Sequence, residues 1–224
     1  MPILLFDIDG TLVRTGGAGK TAMEAALRAT FGVTAVRDTV SYSGRTDRAI
    51  ARDLLAAHDI DPNPLNQDRL RDAYLAQLPA SLQSHGGTVC PGVNELLAEL
   101  CTRPGVVLGL LTGNVRVGAN RKLAHFVLWD FFASGGFGDD HYDRDDVARA
   151  AVAEVRAHLG RDFDTSDVWV IGDTPLDVQC ARAVGAKVVA VATGWHPLEE
   201  LHGHAPDHAL ADLSNPEELL RVWR

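Results

Sequence analysis

The chain opens with Ile3-Leu4-Leu5-Phe6-Asp7-Ile8-Asp9-Gly10-Thr11, and these nine residues carry much of its structural information. Four consecutive apolar residues predict a short buried strand. Successive side chains of an extended chain alternate in direction, so Asp7 and Asp9 point to the same side. Gly10 then lets the backbone turn sharply. Two carboxylates at the end of a buried strand can bind a hard cation and share nucleophilic and acid/base roles.

From residue 91 onward the sequence alternates between apolar runs and helical patterns. The predicted strands are 106–111, 131–134, 168–171 and 187–192, and the predicted helices are 91–101, 115–128, 143–159 and 175–184, with a mostly helical tail. Strands separated by helices of this length are typical of an α/β fold with a doubly wound parallel sheet, that is, a Rossmann-like core.

A helical stretch separates the first strand from this alternating region. Helices are predicted at 20–31, 46–58 and 66–83, and no strand-like run lies between them. Glycine pairs border the stretch at Gly16-Gly17 and Gly86-Gly87. We therefore predict a catalytic core formed by 1–15 and 86–224, and an all-helical cap domain formed by 16–85 that packs over the carboxyl edge of the sheet.

Composition limits the kinds of partner. The chain has 224 residues and a formal net charge of −9, which argues against nucleic acid or an anionic membrane as a partner. Its apolar runs are far shorter than the ~20 residues that span a bilayer. The basic start of a signal peptide is missing after Met1-Pro2. The three cysteines include no C-x-x-C pair, so we expect reduced thiols and a cytoplasmic protein. The oligomeric state is left open.

Three polar clusters each follow a predicted buried strand. They are Asp7/Asp9/Thr11, Thr112/Gly113/Asn114 and Gly172/Asp173/Asp177. In an open parallel sheet the carboxyl ends of the strands line one crevice, so we expect the three clusters to meet there.

These clusters resemble the motifs of a known superfamily. Phe6–Leu12, Leu111–Asn114 and Ile171–Asp177 look like motifs one, two and four of haloacid-dehalogenase superfamily hydrolases. Their order and spacing resemble the subgroup with a small helical cap, which includes phosphoglycolate-phosphatase-like enzymes. The resemblance covers nearly the whole chain and is specific for the superfamily, but weak for the substrate.

The resemblance implies a Mg²⁺-dependent phosphatase acting on a small phosphorylated metabolite, and it assigns roles. Asp7 would attack phosphorus to form an aspartyl-phosphate, and Asp9 would act as acid and base, with Thr11 helping to hold it. Asp7, Asp9 through its backbone carbonyl, and Asp173 would bind Mg²⁺. The remaining assignments are phosphoryl binding by Thr112 and the backbone from Gly113 onward, assistance from Asn114, and orientation of the cation side of the site by Asp177.

The sequence departs from the family pattern at motif three, which is usually a lysine near the helix after the third strand. The chain's three lysines are Lys20, Lys122 and Lys187. We expect Lys122 to lie away from the crevice, since it is eight residues past Asn114, roughly 12 Å along a helix. Arg144 stands where the family places its lysine. The hypothesis is that Arg144 replaces it, because four site carboxylates and a dianionic phosphate need more positive charge than Mg²⁺ supplies. The alternative is a surface arginine paired with its acidic neighbours.

Two weaker features lie in the helical stretch. Arg45, in Ser43-Gly44-Arg45-Thr46-Asp47, resembles part of a substrate-specificity loop and is a candidate for contacting the substrate. The segment 14–21 is close to a Walker A loop, but Arg14 occupies its first glycine position, which favours a hinge over a nucleotide site.

Three other functions remain open at this stage. A phosphomutase of the same superfamily would transfer phosphate to a second substrate without net release. A dehalogenase is disfavoured because related dehalogenases lack the second aspartate, which is Asp9 here. A non-catalytic binding module is disfavoured because the candidate nucleophile Asp7 is intact.

Overall fold

The computed structural model describes residues 1–223, apart from the side chain of Glu218. Its strands are β1 (Ile3–Phe6), β2 (Val13–Arg14), β3 (Thr88–Val89), β4 (Val107–Leu111), β5 (Ser134–Gly136), β6 (Val168–Gly172), β7 (Lys187–Val191) and β8 (His208–Leu210). Its α-helices are α1 (Ala18–Phe31), α2 (Asp47–Ala57), α3 (Pro64–His85), α4 (Val93–Thr102), α5 (Arg116–His125), α6 (Arg144–Leu159), α7 (Pro175–Ala183), α8 (Leu198–Gly203) and α9 (Glu217–Val222).

Six strands form one parallel sheet in the order β5-β4-β1-β6-β7-β8. Strand β1 lies near the middle, with Phe6 opposite Leu110 on β4 and opposite Ile171 on β6. Leu4 and Phe6 pack into the apolar cluster on one face, and Ile3 and Leu5 into the cluster on the other. A sheet covered on both faces explains the continuous apolar run, and it confirms the predicted doubly wound α/β fold.

Two details of the sheet differ from the sequence prediction. The strand expected at 131–134 begins only at Ser134, and Trp129–Phe131 form a 3-10 turn. A Cβ on Gly135 would lie 2.8 Å from the Cβ of Leu110, and one on Gly136 would lie 2.7 Å from the Cβ of Ala151. Glycine is therefore required by close packing in β5, although it is unfavourable in a strand by propensity. The tail also contains the edge strand β8, which was predicted to be helical.

Helices α1, α2 and α3 occupy the stretch between the glycine pairs. They share an apolar cluster that includes Leu27, Leu54, Leu70 and Leu78. Strands β2 and β3, which lie before and after the three helices in the sequence, form a small antiparallel ribbon with Val13 opposite Val89. We refer to residues 16–85 as the helical segment; that it acts as a cap domain remains a prediction. Among the described helices, none combines the length and the apolar character needed to cross a bilayer.

Candidate active site

Strand β1 delivers Asp7 to the carboxyl edge of the sheet. Its backbone N–H donates to the carbonyl of Ile171 at 2.9 Å, and the residue is only 4% exposed. Gly10 has φ of +86°, and a Cβ there would lie 2.6 Å from Cγ of Asp173. Glycine is thus needed at position 10 both for the turn and for the close approach of the loop that carries Asp173.

Three buried carboxylates meet at this edge. Oxygen atoms of Asp7, Asp173 and Asp177 lie within 4.8 Å of one another. Hard divalent cations prefer such oxygen ligands, so the donor set fits Mg²⁺. Thr11 donates from Oγ1 to Asp173 at 3.1 Å. The expectation that Thr11 holds Asp9 is therefore wrong, because its hydroxyl is already directed to Asp173.

Asp177 is engaged on both carboxylate oxygens. Oδ2 accepts from the backbone N–H and the hydroxyl of Thr174, at 2.9 and 2.8 Å, which caps the N-terminus of α7. Oδ1 accepts from Arg144 at 2.5 Å. Both oxygens of Asp177 therefore have protein donors, and its role in orienting the cation side of the site remains a prediction.

Arg144, the first residue of α6, reaches two of the buried carboxylates. Asp143 caps that helix by accepting from the N–H of Asp145. Arg144 Nη2 lies 3.0 Å from Asp7 and also pairs with Asp177, while Nη1 donates to the carbonyl of Gly44 at 3.1 Å. The side chain is 4% exposed, so it is a buried ionic bridge and not a surface arginine.

Lys122 also belongs to the site, which corrects the expectation that it lies away from the crevice. Its ammonium is 2.6 Å from Oδ2 of Asp9 and 2.6 Å from Oδ1 of Asn114. Helix α5 begins only at Arg116, and helical side chains lean toward the N-terminus. The four-carbon lysine stem covers the remaining distance. The expectation counted only the rise per residue from Asn114. It ignored the late start of α5, the lean of helical side chains and the length of the lysine side chain.

The loop that follows β4 and carries Thr112 and Asn114, here called the second-motif loop, connects these groups. The Asn114 amide donates to Thr112 Oγ1 at 2.8 Å and to Asp9 at 2.9 Å, and the N–H of Thr112 donates to Gly136. Thr112 is fully buried, whereas the Asp9 side chain is 41% exposed. Asp9 therefore sits on the solvent side of the site and Thr112 on its floor.

Two cationic side chains of the helical segment, including the candidate Arg45, point away from the site in this conformation. The Arg45 guanidinium pairs with Asp53 at 2.5 Å and donates to the carbonyl of Ser41. Lys20 pairs with Asp38 at 2.8 Å on the surface. The backbone of Arg45 does touch the site, since a Cβ on Gly113 would lie 2.8 Å from its carbonyl carbon.

Sequence reasoning missed the loop after β7. A Cβ on Gly194 would overlap the carboxylate of Asp173, and Thr193 Oγ1 donates to the carbonyl of Gly10 at 2.5 Å. His196, in the same loop, lies 3.1 Å from Oγ of Ser43 in the helical segment. A signal for this loop existed: Thr193 and Gly194 directly follow a predicted strand, as do the three clusters that were found.

The electrostatics favour a bound cation. Burial raises the pKa of Asp7 to about 6, with Arg144 opposing the rise and Asp177 and Asp9 adding to it. The pKa of Asp173 is raised well above its usual value by burial and by Asp177 and Asp7. Burial alone would lower the pKa of Lys122, but Asp9 and Asp47 outweigh it and raise that pKa. A divalent ion would offset the repulsion between the carboxylates.

Asp47, at the start of α2, also faces this network. Burial raises its pKa to about 6, while Lys122 and a hydrogen bond from the Val115 N–H lower it. Nothing in the sequence alone distinguished Asp47 from an ordinary first-turn acid of a helix.

The haloacid dehalogenase-like hydrolase family model matches residues 4–191, most of the chain. A phosphoglycolate phosphatase from Synechococcus elongatus is 29% identical, covering 99% of this chain and 97% of that protein. One from Cereibacter sphaeroides is 28% identical, covering all of this chain and 98% of that protein.

Solved structures share the fold. CbbY from Rhodobacter sphaeroides, crystallised in complex with phosphate, superimposes with a TM-score of 0.78 at 20% identity, over 96% of each chain. A predicted phosphatase from Clostridium acetobutylicum gives a TM-score of 0.75 at 20% identity, over 98% of each chain. With the match over residues 4–191 and relatives along its whole length, the chain belongs to the haloacid dehalogenase-like hydrolase family, as a hydrolase of the phosphatase type.

Proposed function

We propose that this protein is a Mg²⁺-dependent phosphatase that hydrolyses a small phosphorylated metabolite through an aspartyl-phosphate on Asp7. The observation that carries the proposal is the pairing of each reacting carboxylate with its own cation. Asp7 lies 3.0 Å from Arg144, and Asp9 lies 2.6 Å from Lys122. Such pairing places a positive charge beside each of the two carboxylates and leaves their second oxygens to react.

Mg²⁺ would be held by Asp7, Asp173 and the backbone carbonyl of Asp9, and it would supply positive charge for the phosphoryl oxygens and hold them in line. One oxygen of Asp7 is fixed by Arg144, so the other attacks phosphorus. Thr112 Oγ1 and the backbone after it bind the phosphoryl oxygens.

The contacts of Asp9 support an acid/base role in this proposal. Its Oδ2 is held by Lys122 and Asn114, and the side chain faces the solvent side, where the leaving group departs. Protonated Asp9 gives its proton to the leaving oxygen. The resulting carboxylate then takes a proton from the water that hydrolyses the aspartyl-phosphate.

The charges support a dianionic substrate. Asp7, Asp9, Asp173 and Asp177 carry four negative charges, and Arg144, Lys122 and Mg²⁺ together would cancel them. Protonating Asp9 leaves these four carboxylates and three cations one unit positive before the phosphate enters, and Asp47, which faces Lys122, offsets that charge when it is ionised. Lys122 and Arg144 together do the electrostatic work that the sequence pattern had suggested for Arg144 alone.

The substrate must enter a site that is closed in this structure, since Asp7 is 4% exposed and the Gly44 carbonyl rests on Arg144. The helical segment would therefore move away and return as a cap. The ion pair between Arg45 and Asp53 weakens the case for Arg45 as a contact of the substrate. 2-Phosphoglycolate is the first substrate to test because the relatives are named for it. The three cysteines are unpaired, which supports the proposed cytoplasmic location.

The test is phosphate release from 2-phosphoglycolate and a panel of small monoesters, with Mg²⁺ or with EDTA. We expect release only with Mg²⁺, and a loss of at least about 10³-fold in Asp7→Asn, since the nucleophile is removed. Asp130→Asn, an exposed acid, is the matched control. Turnover that survives Asp7→Asn would end the covalent mechanism. Transfer to an added sugar phosphate without net release would indicate the phosphomutase instead.

A further inference from the structure

Asp47 joins the helical segment to the second-motif loop at two points. It is the first residue of α2, and its backbone N–H donates to the carbonyl of Gly113 at 2.7 Å. Its Oδ2 accepts from the backbone N–H of Val115 at 2.9 Å. One residue of the helical segment thus binds the chain on both sides of Asn114.

The bond to Val115 fills a position that α5 cannot fill itself. Val115 is the N-cap of α5, and the first N–H groups of a helix have no partner within it. The adjacent N–H, that of Arg116, donates to Oδ2 of Asp139 at 2.8 Å. The loop after β5 therefore supplies one carboxylate to this helix terminus, and the helical segment supplies the other.

The start of α2 is itself firmly placed. Thr46 Oγ1 accepts from the N–H of Ala49, which caps α2, and donates to the carbonyl of Tyr142 at 3.3 Å. A Cβ on Gly113 would lie 3.0 Å from Cα of Thr46, so only glycine permits this approach. Asp47 consequently meets the loop with its backbone direction already set.

We infer that Asp47 is a positioning residue that gives the 113–115 loop its catalytic shape when the helical segment closes. The inference rests on the proposed function. Asn114 lies between the two bonded positions, and its amide holds both Thr112 Oγ1 and Asp9. When the segment opens, Gly113 and Val115 lose Asp47, and the residues that bind the phosphoryl group and the acid lose their fixed arrangement. Closure and assembly of the site are therefore one event.

The experiment compares Asp47→Ala, Asp47→Asn and Asp139→Ala. Asparagine keeps an oxygen that can accept from Val115 but removes the charge that faces Lys122. Asp139→Ala removes the neighbouring cap from the same helix and keeps both hydrogen bonds of Asp47 to the 113–115 loop. Steady-state turnover of p-nitrophenyl phosphate with Mg²⁺, thermal midpoints, and residue-resolved amide exchange by NMR are measured for each.

We expect Asp47→Ala to lower kcat by about 10- to 100-fold, the range of a lost hydrogen bond to a charged group, and to speed exchange of the Val115 N–H. Asp47→Asn should restore kcat to within about three-fold of wild type, because the hydrogen bond survives. Asp139→Ala should lower the thermal midpoint about as much as Asp47→Ala does, since both substitutions remove one cap of the same helix. Its kcat should stay within about three-fold of wild type.

Two results would overturn the inference. If Asp47→Asn is as slow as Asp47→Ala, the charge near Lys122 matters and the hydrogen bond does not. If Asp47→Ala keeps wild-type kcat and wild-type exchange at Val115, Asp47 positions nothing. Amide exchange needs no substrate, so it judges the inference even if the wild-type protein hydrolyses none of the esters tested.

Discussion

At the scale of single residues, the site consists of charges that each depend on a partner. Arg144 is shared by Asp7 and Asp177, and Lys122 is shared by Asp9 and Asn114. Removing one partner of a buried ionic pair leaves the other charge uncompensated, which costs more than the pair contributes in net stability. Substitutions here should therefore change stability and turnover together.

Lys122→Met tests the lysine that the sequence failed to place. Methionine keeps most of the apolar stem but leaves Asp9 Oδ2 with only the Asn114 amide. We expect kcat to fall by roughly 10- to 100-fold and stability to fall by about 1–3 kcal/mol, because the buried amide oxygen of Asn114 loses its donor. Steady-state kinetics and thermal melts measure both. Lys187→Met, whose ammonium lies over the Trp169 ring, is the control, and equal kcat in the two variants would contradict the role of Lys122.

The raised pKa of Asp7 predicts how metal-free stability depends on pH. Its pKa is 3.8 ordinarily and about 6 in the folded protein, so the folded state binds the proton more tightly. Stability is therefore lost as pH rises from about 4 through about 6. In EDTA, the free energy of unfolding of Asp7→Asn should rise relative to that of wild type by up to about 3 kcal/mol across that range.

The measurement is the free-energy difference between the two proteins from denaturant melts at pH 4, 5, 6 and 7. Using the difference cancels the titrating groups that do not interact with Asp7; the pKa of Asp173, which Asp7 raises, changes together with the substitution. Adding Mg²⁺ at pH 7 should stabilise wild type more than the variant. A difference that stays constant from pH 4 to pH 7 would mean that burial does not disfavour the Asp7 carboxylate.

At the scale of elements, the sequence predicted helices and strands whose positions depend on hydrophobic periodicity. It missed features that depend on close contact between residues far apart in the chain. Helices α1, α2 and α6 lie where their apolar spacing and caps put them, within a few residues. Strand β5 was misplaced because Gly135 and Gly136 are there for packing. Asp7, Asp9, Thr112 and Asp173 could be found because each follows a strand. Lys122 could not, since its role depends on where α5 starts and how its side chain leans.

Gly194→Ala tests the loop after β7, where packing against Asp173 leaves no room for a methyl group. We expect Mg²⁺ affinity, measured by calorimetry, to drop by at least about ten-fold, since the carboxylate must turn away from the cation. The fold should remain, as judged by circular dichroism. Gly203→Ala is the matched control, because a Cβ there meets nothing within 4 Å. Unchanged Mg²⁺ affinity in Gly194→Ala would show that Asp173 does not ligate the ion.

At the scale of the whole molecule, the local and overall charges differ. The four site carboxylates and the two cations Arg144 and Lys122 contribute −2 to the formal net charge of −9, so a charge of −7 resides on the rest of the protein, and the proposed Mg²⁺ would leave the site itself balanced. A dianionic substrate is therefore attracted only once it is close to the site, and is repelled at longer range.

This predicts an unusual salt dependence. Raising NaCl from about 10 mM to about 150 mM shortens the screening length from roughly 30 Å to roughly 8 Å, which weakens the long-range repulsion but not the buried contacts. We expect KM for p-nitrophenyl phosphate to fall by about two- to five-fold, with kcat unchanged, at fixed pH and saturating Mg²⁺. Neutralising exposed acids in Glu199→Gln/Glu217→Gln should lower KM at low salt and flatten the dependence, because the same repulsion is then reduced by substitution. If KM instead rises with salt, as it does when a positive field steers the substrate, then attraction to the site's cations outweighs the long-range repulsion, and the substrate is drawn toward the site well before it arrives.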